Sequence, residues 1–163
     1  MSSGVRIRAA EPADVEQIYV WIVELAEYER SPDAVTGTPS QLEQALFGAQ
    51  PTAEALIAVI DGEPAGMALF YTTFSTWECL PGLWLEDLYV PPDRRRSGVG
   101  AALIAHLAAI AVDRGHPRLE WAALDWNTPA LQFYDKLGAT RLADWYMHRL
   151  EGDGLSRIAR GAD

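Results

Sequence analysis

The chain has 163 residues, of which 49% are hydrophobic and 22% charged, and its formal net charge is −10. This length suits one domain with a sizeable core, so we expect residues 1–163 to form a single domain. Because 23 acidic residues face 13 basic ones, neither nucleic acid nor an anionic membrane is an expected partner. The start, MSSGVRIR, lacks the apolar stretch of a signal peptide, and no long apolar window follows, so we expect a cytoplasmic protein.

The predicted elements begin with a strand and two helices. Residues 4–9 alternate apolar and charged side chains, which is typical of a strand with one buried face. Pro12 and its acidic neighbours open a helix whose apolar spacing continues to about Arg30. Thr38-Pro39 is typical of a cap and first turn, which predicts a short helix over residues 41–47.

A hairpin and a third strand are predicted next. Two apolar runs flank Asp61-Gly62, a strong hairpin signal. A second turn is predicted at residues 80–82, before a strand over residues 83–90. The loop PPDRRRS follows, and then a helix from about Gly98 to Arg114.

The last part of the chain adds two strands and one helix. Residues 118–124 predict a strand, and Asn127 caps a helix that Gly138 stops. A last strand is predicted over residues 141–150, and residues 152–163 are expected to form a flexible tail. This order predicts an α/β protein with a mixed sheet flanked by helices.

Three arginines, residues 94–96, stand before Gly98-Val99-Gly100 between a strand and a helix. Backbone N–H groups at such a turn and the helix dipole favour an anion, and arginines neutralise phosphate charge. The only lysine is Lys136, so a P-loop is excluded. A dinucleotide fold is not expected either, because Leu103 stands at the third glycine position and seven residues separate Val90 from Gly98.

Three segments together carry a family resemblance: LEDLYV at 85–90, RxxGxG at 95–100 and WNTPALQFYDKLGA at 126–139. They resemble the GNAT superfamily of N-acetyltransferases, and residues 5–29 are similar to its diamine (spermidine/spermine and thialysine) branch. The resemblance implies a central mixed sheet of six to seven strands, splayed between its central parallel strands and flanked by about four helices. It also implies acetyl-CoA as co-substrate, a small cationic primary amine as acceptor, and a homodimer.

In the resembling family, the strand after the acidic pair, the arginine-glycine loop and the later helix bind acetyl-CoA. The corresponding positions here are Leu88, Tyr89, Val90, Arg95, Arg96, Ser97, Gly98, Val99, Gly100, Ala101, Asn127, Pro129 and Ala130. Arg96 stands where the family usually has glycine, which implies an altered turn if its φ is positive. The resemblance implies that Asn127 hydrogen-bonds the amide arm of the cofactor, but helix capping would explain an asparagine there equally well.

Acetyl transfer requires the amine to lose a proton, because a free alkylamine has a pKa of about 10. Glu86 and Asp87 are adjacent, so on a regular strand they face opposite ways. The resemblance gives Glu86 the relay of that proton through water, and Tyr134 the role of acid for the coenzyme A thiolate. The alternatives are a solvent-facing carboxylate for Glu86 and a core residue for Tyr134. For Asp87, an orienting role and a structural one stay open.

The acceptor is expected at the acidic end of the first helix. The substrate-binding positions that the resemblance implies are Tyr28, Glu29, Glu86, Asp87 and Trp126. A solvated acidic helix face is the alternative for this end. Residues 138–145 are shorter than in the diamine branch, so the acceptor stays open between a diamine, a polyamine and a lysine-like amine.

Two other functions stay open: a different acceptor, such as a protein N-terminus or an aminoglycoside, and a non-catalytic acetyl-CoA-binding module. The joint presence of Glu86 and Tyr134 argues against the second. No metal is expected, because His106, His116 and His148 lack ligand spacing, and the single Cys79 excludes an internal disulfide.

Overall fold

The computed structural model describes residues 4–161, which fall into two compact units, residues 4–124 and residues 125–161. The elements of the first unit are β1 Arg6–Ala9, α1 Val15–Tyr28, α2 Pro39–Phe47, β2 Glu54–Ile60, β3 Glu63–Ser75, β4 Leu80–Tyr89, α3 Val99–Asp113 and β5 Leu119–Trp121. Those of the second unit are α4 Thr128–Lys136 and α5 Gly152–Ala159. Over residues 4–161, no helix combines the length and apolar character that crossing a membrane requires.

The first unit is built on one five-stranded sheet in the order β1-β2-β3-β4-β5. The first three pairings are antiparallel, and β4 pairs with β5 in parallel. The mixed α/β class is thus confirmed, although this sheet has fewer strands than the six to seven expected.

Two hairpins join β2, β3 and β4. Asp61 and Gly62 have φ of 53° and 86°, as a two-residue turn between β2 and β3 requires. The second turn lies at residues 76–79, so its prediction at residues 80–82 was wrong. Gly82 instead pairs with Thr73 inside the sheet, where a Cβ atom would lie 3.1 Å from the Thr73 hydroxyl oxygen. This glycine serves close packing and not a turn.

Both faces of the sheet are covered, which explains why the central strands are almost continuously apolar. On one face, Ile18 and Trp21 of α1 pack on Ile57 and Leu69. The alternate strand residues are buried as well, among them Phe70 and Leu85, and α3 packs against β1 to β4.

An ion pair connects the start of α1 to the edge strand β1. The Arg8 guanidinium donates two hydrogen bonds to Asp14, of 2.6 and 2.8 Å, and the backbone N–H of Glu11 donates a third of 2.8 Å. The hydrogen bonds from Arg8 are the main reason why the pKa of Asp14 is lowered. The pair therefore positions the first turn of α1 on the sheet.

The second unit contains two short helices and no strand among its described residues. Residues 141–150, predicted as a strand, are irregular and exposed throughout. Their composition was not enough, because a strand also needs a neighbour that pairs with its backbone groups. Residues 152–159, expected to belong to a flexible tail, form α5.

Candidate active site

The site begins where β4 and β5 separate. Their parallel pairing covers Leu83 to Leu85 on β4 and ends at Trp121 on β5. From Asp87 to Tyr89, β4 stays paired with β3 but has no strand partner on its other edge among the described residues of the first unit. Backbone groups on such an edge are available to an extended ligand.

A β-bulge lies at the start of this open edge. Leu85 pairs with Phe70, and Asp87 pairs with Leu69, so Glu86 has no partner residue on β3. Such a bulge reverses the alternation of side chains beyond it. Since residues paired across strands share a face, Asp87 lies on the α1 face with Leu69. The expectation that Glu86 and Asp87 face opposite ways was wrong for this reason.

The Glu86 side chain is exposed and has two polar neighbours. The indole Nε1 of Trp84 donates to Glu86 Oε2 over 2.8 Å. Burial raises the pKa of Tyr71, and the charge of Glu86 and a hydrogen bond to it raise that pKa further. Trp84 and Tyr71 pair across β3 and β4, so both hold the carboxylate from the same face.

Asp87 has a different environment two residues before the end of β4. It is half-buried, and burial is the main cause that raises its pKa to about 6. The charges of Glu86 and Glu29 raise the pKa further, in that order. Glu29 stands directly after α1, and burial raises the pKa of its own carboxyl too. The end of α1 and the bulged part of β4 thus bring three carboxyl groups together.

Tyr89 connects the open edge of β4 to α1. Its hydroxyl donates to Glu24 Oε2 over 2.6 Å, and its ring centroid lies 6.4 Å from that of Trp21. Burial, followed by the hydrogen bond to Glu24, raises the pKa of Tyr89 to about 12. The phenol therefore stays protonated and keeps α1 against the strand.

The arginine-glycine loop follows β4 directly. Arg95 Nε donates to the Val90 carbonyl oxygen over 3.1 Å, and its guanidinium carbon lies 5.0 Å from the centroid of the Tyr28 ring. Two predicted positions, Arg95 for the cofactor and Tyr28 for the acceptor, are thus in contact. The hydroxyl of Ser97, another predicted position, hydrogen-bonds the Arg94 carbonyl within the loop.

Arg96 has φ of 62°, the left-handed conformation that favours glycine. An altered turn was expected only with a positive φ, which Arg96 has. Arg96 keeps the backbone conformation that a glycine would adopt and carries its strain, and its side chain is exposed.

The loop ends at Gly98, whose φ is 85°. The first-turn N–H groups of α3, at Val99, Gly100 and Ala101, have no acceptor within the helix and can bind an anion. Gly66 sets how closely this turn approaches the sheet: a Cβ there would lie 2.8 Å from both the Tyr89 carbonyl oxygen and Val99 Cγ1. The donor set fits a diphosphate, and the open edge of β4 fits an amide-containing arm.

The remaining predicted positions belong to the second unit. Asn127 accepts a hydrogen bond of 3.4 Å from the Ala130 backbone N–H, so it caps α4, as the helix-capping alternative predicted. Pro129 lies in the first turn of α4, and Trp126, just before it, is exposed. Tyr134 is half-buried, with its ring centroid 5.3 Å from that of Phe133. Within residues 4–161, no group of three or more potential metal ligands comes together.

A family model described as "Acetyltransferase (GNAT) family" matches residues 16–139. The chain belongs to the GNAT acetyltransferase family. This GNAT chain is 37% identical over 166 residues to the thialysine N-epsilon-acetyltransferase of Bos taurus, covering 95% of the chain and 97% of the relative. It is 38% identical over 151 residues to that of Caenorhabditis elegans, covering 91% and 92%.

Among solved structures, an integron cassette protein from the mobile metagenome of V. cholerae superposes with a TM-score of 0.79 at 27% identity. The match covers 98% of the GNAT chain and 99% of that protein. The resemblance found in the sequence motifs is therefore confirmed, and this GNAT chain is an N-acetyltransferase.

Sequence reasoning missed several residues that complete the site of this GNAT enzyme. Trp84 and Tyr71 bind Glu86, and Glu24 binds Tyr89. Trp84 stands two residues before Glu86, so period-two alternation could have suggested it. Nothing local indicates Tyr71 or Glu24, since their contacts depend on how β3 and α1 meet β4.

Proposed function

We propose that this enzyme transfers the acetyl group of acetyl-CoA to a primary amine of a small cationic acceptor, by direct attack in a ternary complex. The acceptor class is a diamine, a polyamine or a lysine-like amine. The observation that carries the proposal is the open edge of β4, which has an acidic pair before it and an anion-binding turn after it.

For acetyl-CoA, we propose two groups of contacts in the first unit. The backbone of Leu88 to Val90 takes the acetyl carbonyl and the pantetheine arm, and the loop of Arg95 to Ala101 takes the pyrophosphate. The strand separation and the left-handed Gly98 support this assignment. The proposed contacts of Asn127, Pro129 and Ala130 with the amide arm rest on the WNxPA motif alone.

For the acceptor, we propose the acidic group at the end of α1, with Tyr28, Glu29, Glu86 and Asp87 as contacts. Trp126 is a further proposed contact, on its motif alone. Carboxylates attract an ammonium group, and the proximity of Glu29, Glu86 and Asp87 supports a site for a cation. The relatives named thialysine N-epsilon-acetyltransferase support an acceptor with a lysine-like chain.

The chemistry needs a proton acceptor and a proton donor. We propose that the acidic pair Glu86–Asp87 accepts the proton of the ammonium group, and that Tyr134 returns one to the coenzyme A thiolate. A phenol suits that step because its ordinary pKa of about 10 is close to the 8.5 of a thiol. No metal is part of the proposal. A homodimer and a cytoplasmic location remain expectations from the resemblance and the composition.

Thiol release from acetyl-CoA, measured with a panel of diamines, polyamines, lysine analogues, aminoglycosides and an N-terminal peptide, tests this function. We expect turnover with the diamines and lysine analogues. Turnover confined to aminoglycosides or the peptide would mean that the acceptor is one of these and not a diamine, a polyamine or a lysine-like amine. Tight coenzyme A binding in calorimetry without turnover of any amine would favour the binding module.

Tyr134→Phe tests the proposed acid. The variant keeps the ring and loses the proton, so we expect kcat to fall by about 100-fold while coenzyme A binding is retained. Phe133→Leu, at the neighbouring ring, controls for packing and should change kcat much less. An unchanged kcat in Tyr134→Phe would remove Tyr134 from the mechanism.

A further inference from the structure

The bulge at Glu86 makes the two carboxylates of β4 unequal, and this bears on which of them accepts the amine proton. In an unbulged strand, Glu86 would share the α1 face with Trp84, and Asp87 would face α3. The missing partner of Glu86 on β3 brings Asp87 onto the α1 face instead. Asp87 is then the last carboxylate before the open backbone of Leu88 to Tyr89.

The partners of the two carboxylates differ as well. Glu86 is exposed and accepts the indole N–H of Trp84. Asp87 is half-buried, and its charged neighbours, Glu86 and Glu29, are like charges that disfavour ionisation. A carboxylate in the second environment is the stronger base.

We propose that Asp87 is the group that takes the proton from the acceptor's ammonium, while Glu86 helps to attract the cation. This inference rests on the proposed function and deepens it. It moves to Asp87 the proton transfer that the resemblance gave to Glu86.

The pKa of Asp87, raised to about 6 mainly by burial, agrees with this geometry. A base is most effective when its pKa lies near the working pH, so this aspartate surpasses an ordinary one at neutral pH. Other charged groups on the neighbouring elements have partners of their own: Glu24 accepts the Tyr89 hydroxyl, and Arg95 lies over the Tyr28 ring. Tyr71, on β3, interacts with Glu86.

The proton balance of the step is complete. The ammonium gives one proton to the Asp87 carboxylate, and the nitrogen lone pair then attacks the thioester carbonyl carbon. A C–N bond forms, the C–S bond breaks with its electron pair on sulfur, and the second amine proton passes to the thiolate through Tyr134. Asp87 releases its proton to solvent, so each turnover yields an amide, a thiol and one proton.

Two acceptors of different basicity test the assignment. One is an ordinary diamine with an ammonium pKa near 10. The other is a fluorinated analogue in which fluorine lowers the pKa of the amine to be acetylated to below about 7. The second is already neutral at pH 8, so it needs no proton acceptor before it attacks. Asp87→Asn removes the proposed proton acceptor, and Asp87→Glu keeps a carboxyl group at the same position. Glu86→Gln is the control at the adjacent carboxylate.

With the ordinary diamine, we expect Asp87→Asn to lose about 100-fold or more in kcat, and Asp87→Glu to recover part of it. With the fluorinated amine, the loss should shrink to below about 10-fold. Glu86→Gln should raise KM more than it lowers kcat. It should retain the acidic limb in kcat/KM, shifted below pH 6 because the charge of Glu86 no longer raises the pKa of Asp87. Calorimetric binding of coenzyme A checks that every variant is folded.

Equal losses of Asp87→Asn with both amines would mean that Asp87 only positions the acceptor, and the inference would fall. Loss of the acidic limb in Glu86→Gln with its retention in Asp87→Asn would return the role to Glu86. Failure of the proposed function looks different, because the wild-type enzyme would then acetylate neither amine.

Discussion

Arg96 carries backbone strain inside the proposed pyrophosphate loop. Its φ of 62° costs a residue with a Cβ atom about 1–2 kcal/mol relative to glycine. The side chain is exposed, so packing does not compensate for this cost. An arginine at this position costs stability, and its positive charge lies in the loop proposed to bind the diphosphate.

Arg96→Gly should therefore raise the free energy of unfolding by about 1 kcal/mol, although glycine makes the unfolded chain more flexible. Urea unfolding without cofactor measures the change. Arg96→Ala is the matched control, since it removes the same charge but retains the strained Cβ, and it should gain little. Equal gains in the two variants would attribute the effect to charge.

Asp87 should make stability depend on pH in the sense opposite to most carboxylates. Its folded-state pKa of about 6 lies above the ordinary 3.8, so the folded protein holds the proton to higher pH than the unfolded chain. Ionisation thus penalises the fold: the penalty is absent below about pH 4, grows up to pH 6 and is complete above it.

Asp87→Asn removes this penalty. We expect the variant to be more stable than the wild type at pH 8, by at most about 3 kcal/mol, and the advantage to disappear below about pH 4. Thermal and urea unfolding at several pH values measure it, with the low-pH comparison as internal control. A difference independent of pH would mean that the amide changes packing and not ionisation.

Among the helices and strands, the contact between β1 and the start of α1 depends on the Arg8–Asp14 ion pair. Only 11% of the Asp14 side chain and 26% of that of Arg8 are exposed, whereas the values for Glu54 and Arg114 are 45% and 39%. Both pairs are bidentate, so burial is the main difference between them. Water screens the exposed pair far more strongly.

Asp14→Ala should cost about 2 kcal/mol at pH 7, because it leaves Arg8 and the Glu11 N–H without their acceptor. Glu54→Ala should cost less than about 1 kcal/mol. Since the folded-state pKa of Asp14 is lowered, its contribution is complete above the unfolded value near 3.8 and is lost as the pH falls through the folded value. Urea unfolding between pH 2 and 7 should show this loss in the wild type and its absence in Asp14→Ala.

At the scale of the whole molecule, the net charge of −10 coexists with an arginine-rich loop beside the open strand edge. The proposed acceptor is a cation that approaches acidic groups, and acetyl-CoA is an anion that approaches basic ones. Both encounters are electrostatically favourable and are screened by salt.

We expect KM for a diamine to rise severalfold when ionic strength increases from about 0.02 to 0.3 M, and KM for a monoamine of equal length to rise less. Steady-state kinetics at saturating acetyl-CoA measure both. Equal salt dependence for the two amines would mean that the second positive charge of the acceptor does not interact with the acidic groups.

Local chemistry made much of this protein predictable. The turn at Asp61-Gly62, the caps Thr38 and Asn127, and the start of α3 near Gly98 depend on residues a few positions apart, and the structure has each of them. The motifs around Glu86 and Gly98 also identified the family, because the resemblance depends on residue types at short spacings.

Tertiary structure decided what depends on a partner distant in sequence. Residues 141–150 have the pattern of a strand but are irregular, and Gly82 lies in a strand where a turn was expected. The bulge at Glu86 arises from its register against β3, and the burial of Asp87 beside Glu29 requires α1 to pack on the same face. Short motifs thus identified the family and the chemical groups of the site. The raised pKa of Asp87 could not be read from them, because it depends on the burial and neighbouring charge that the packing of β3 and α1 on β4 creates.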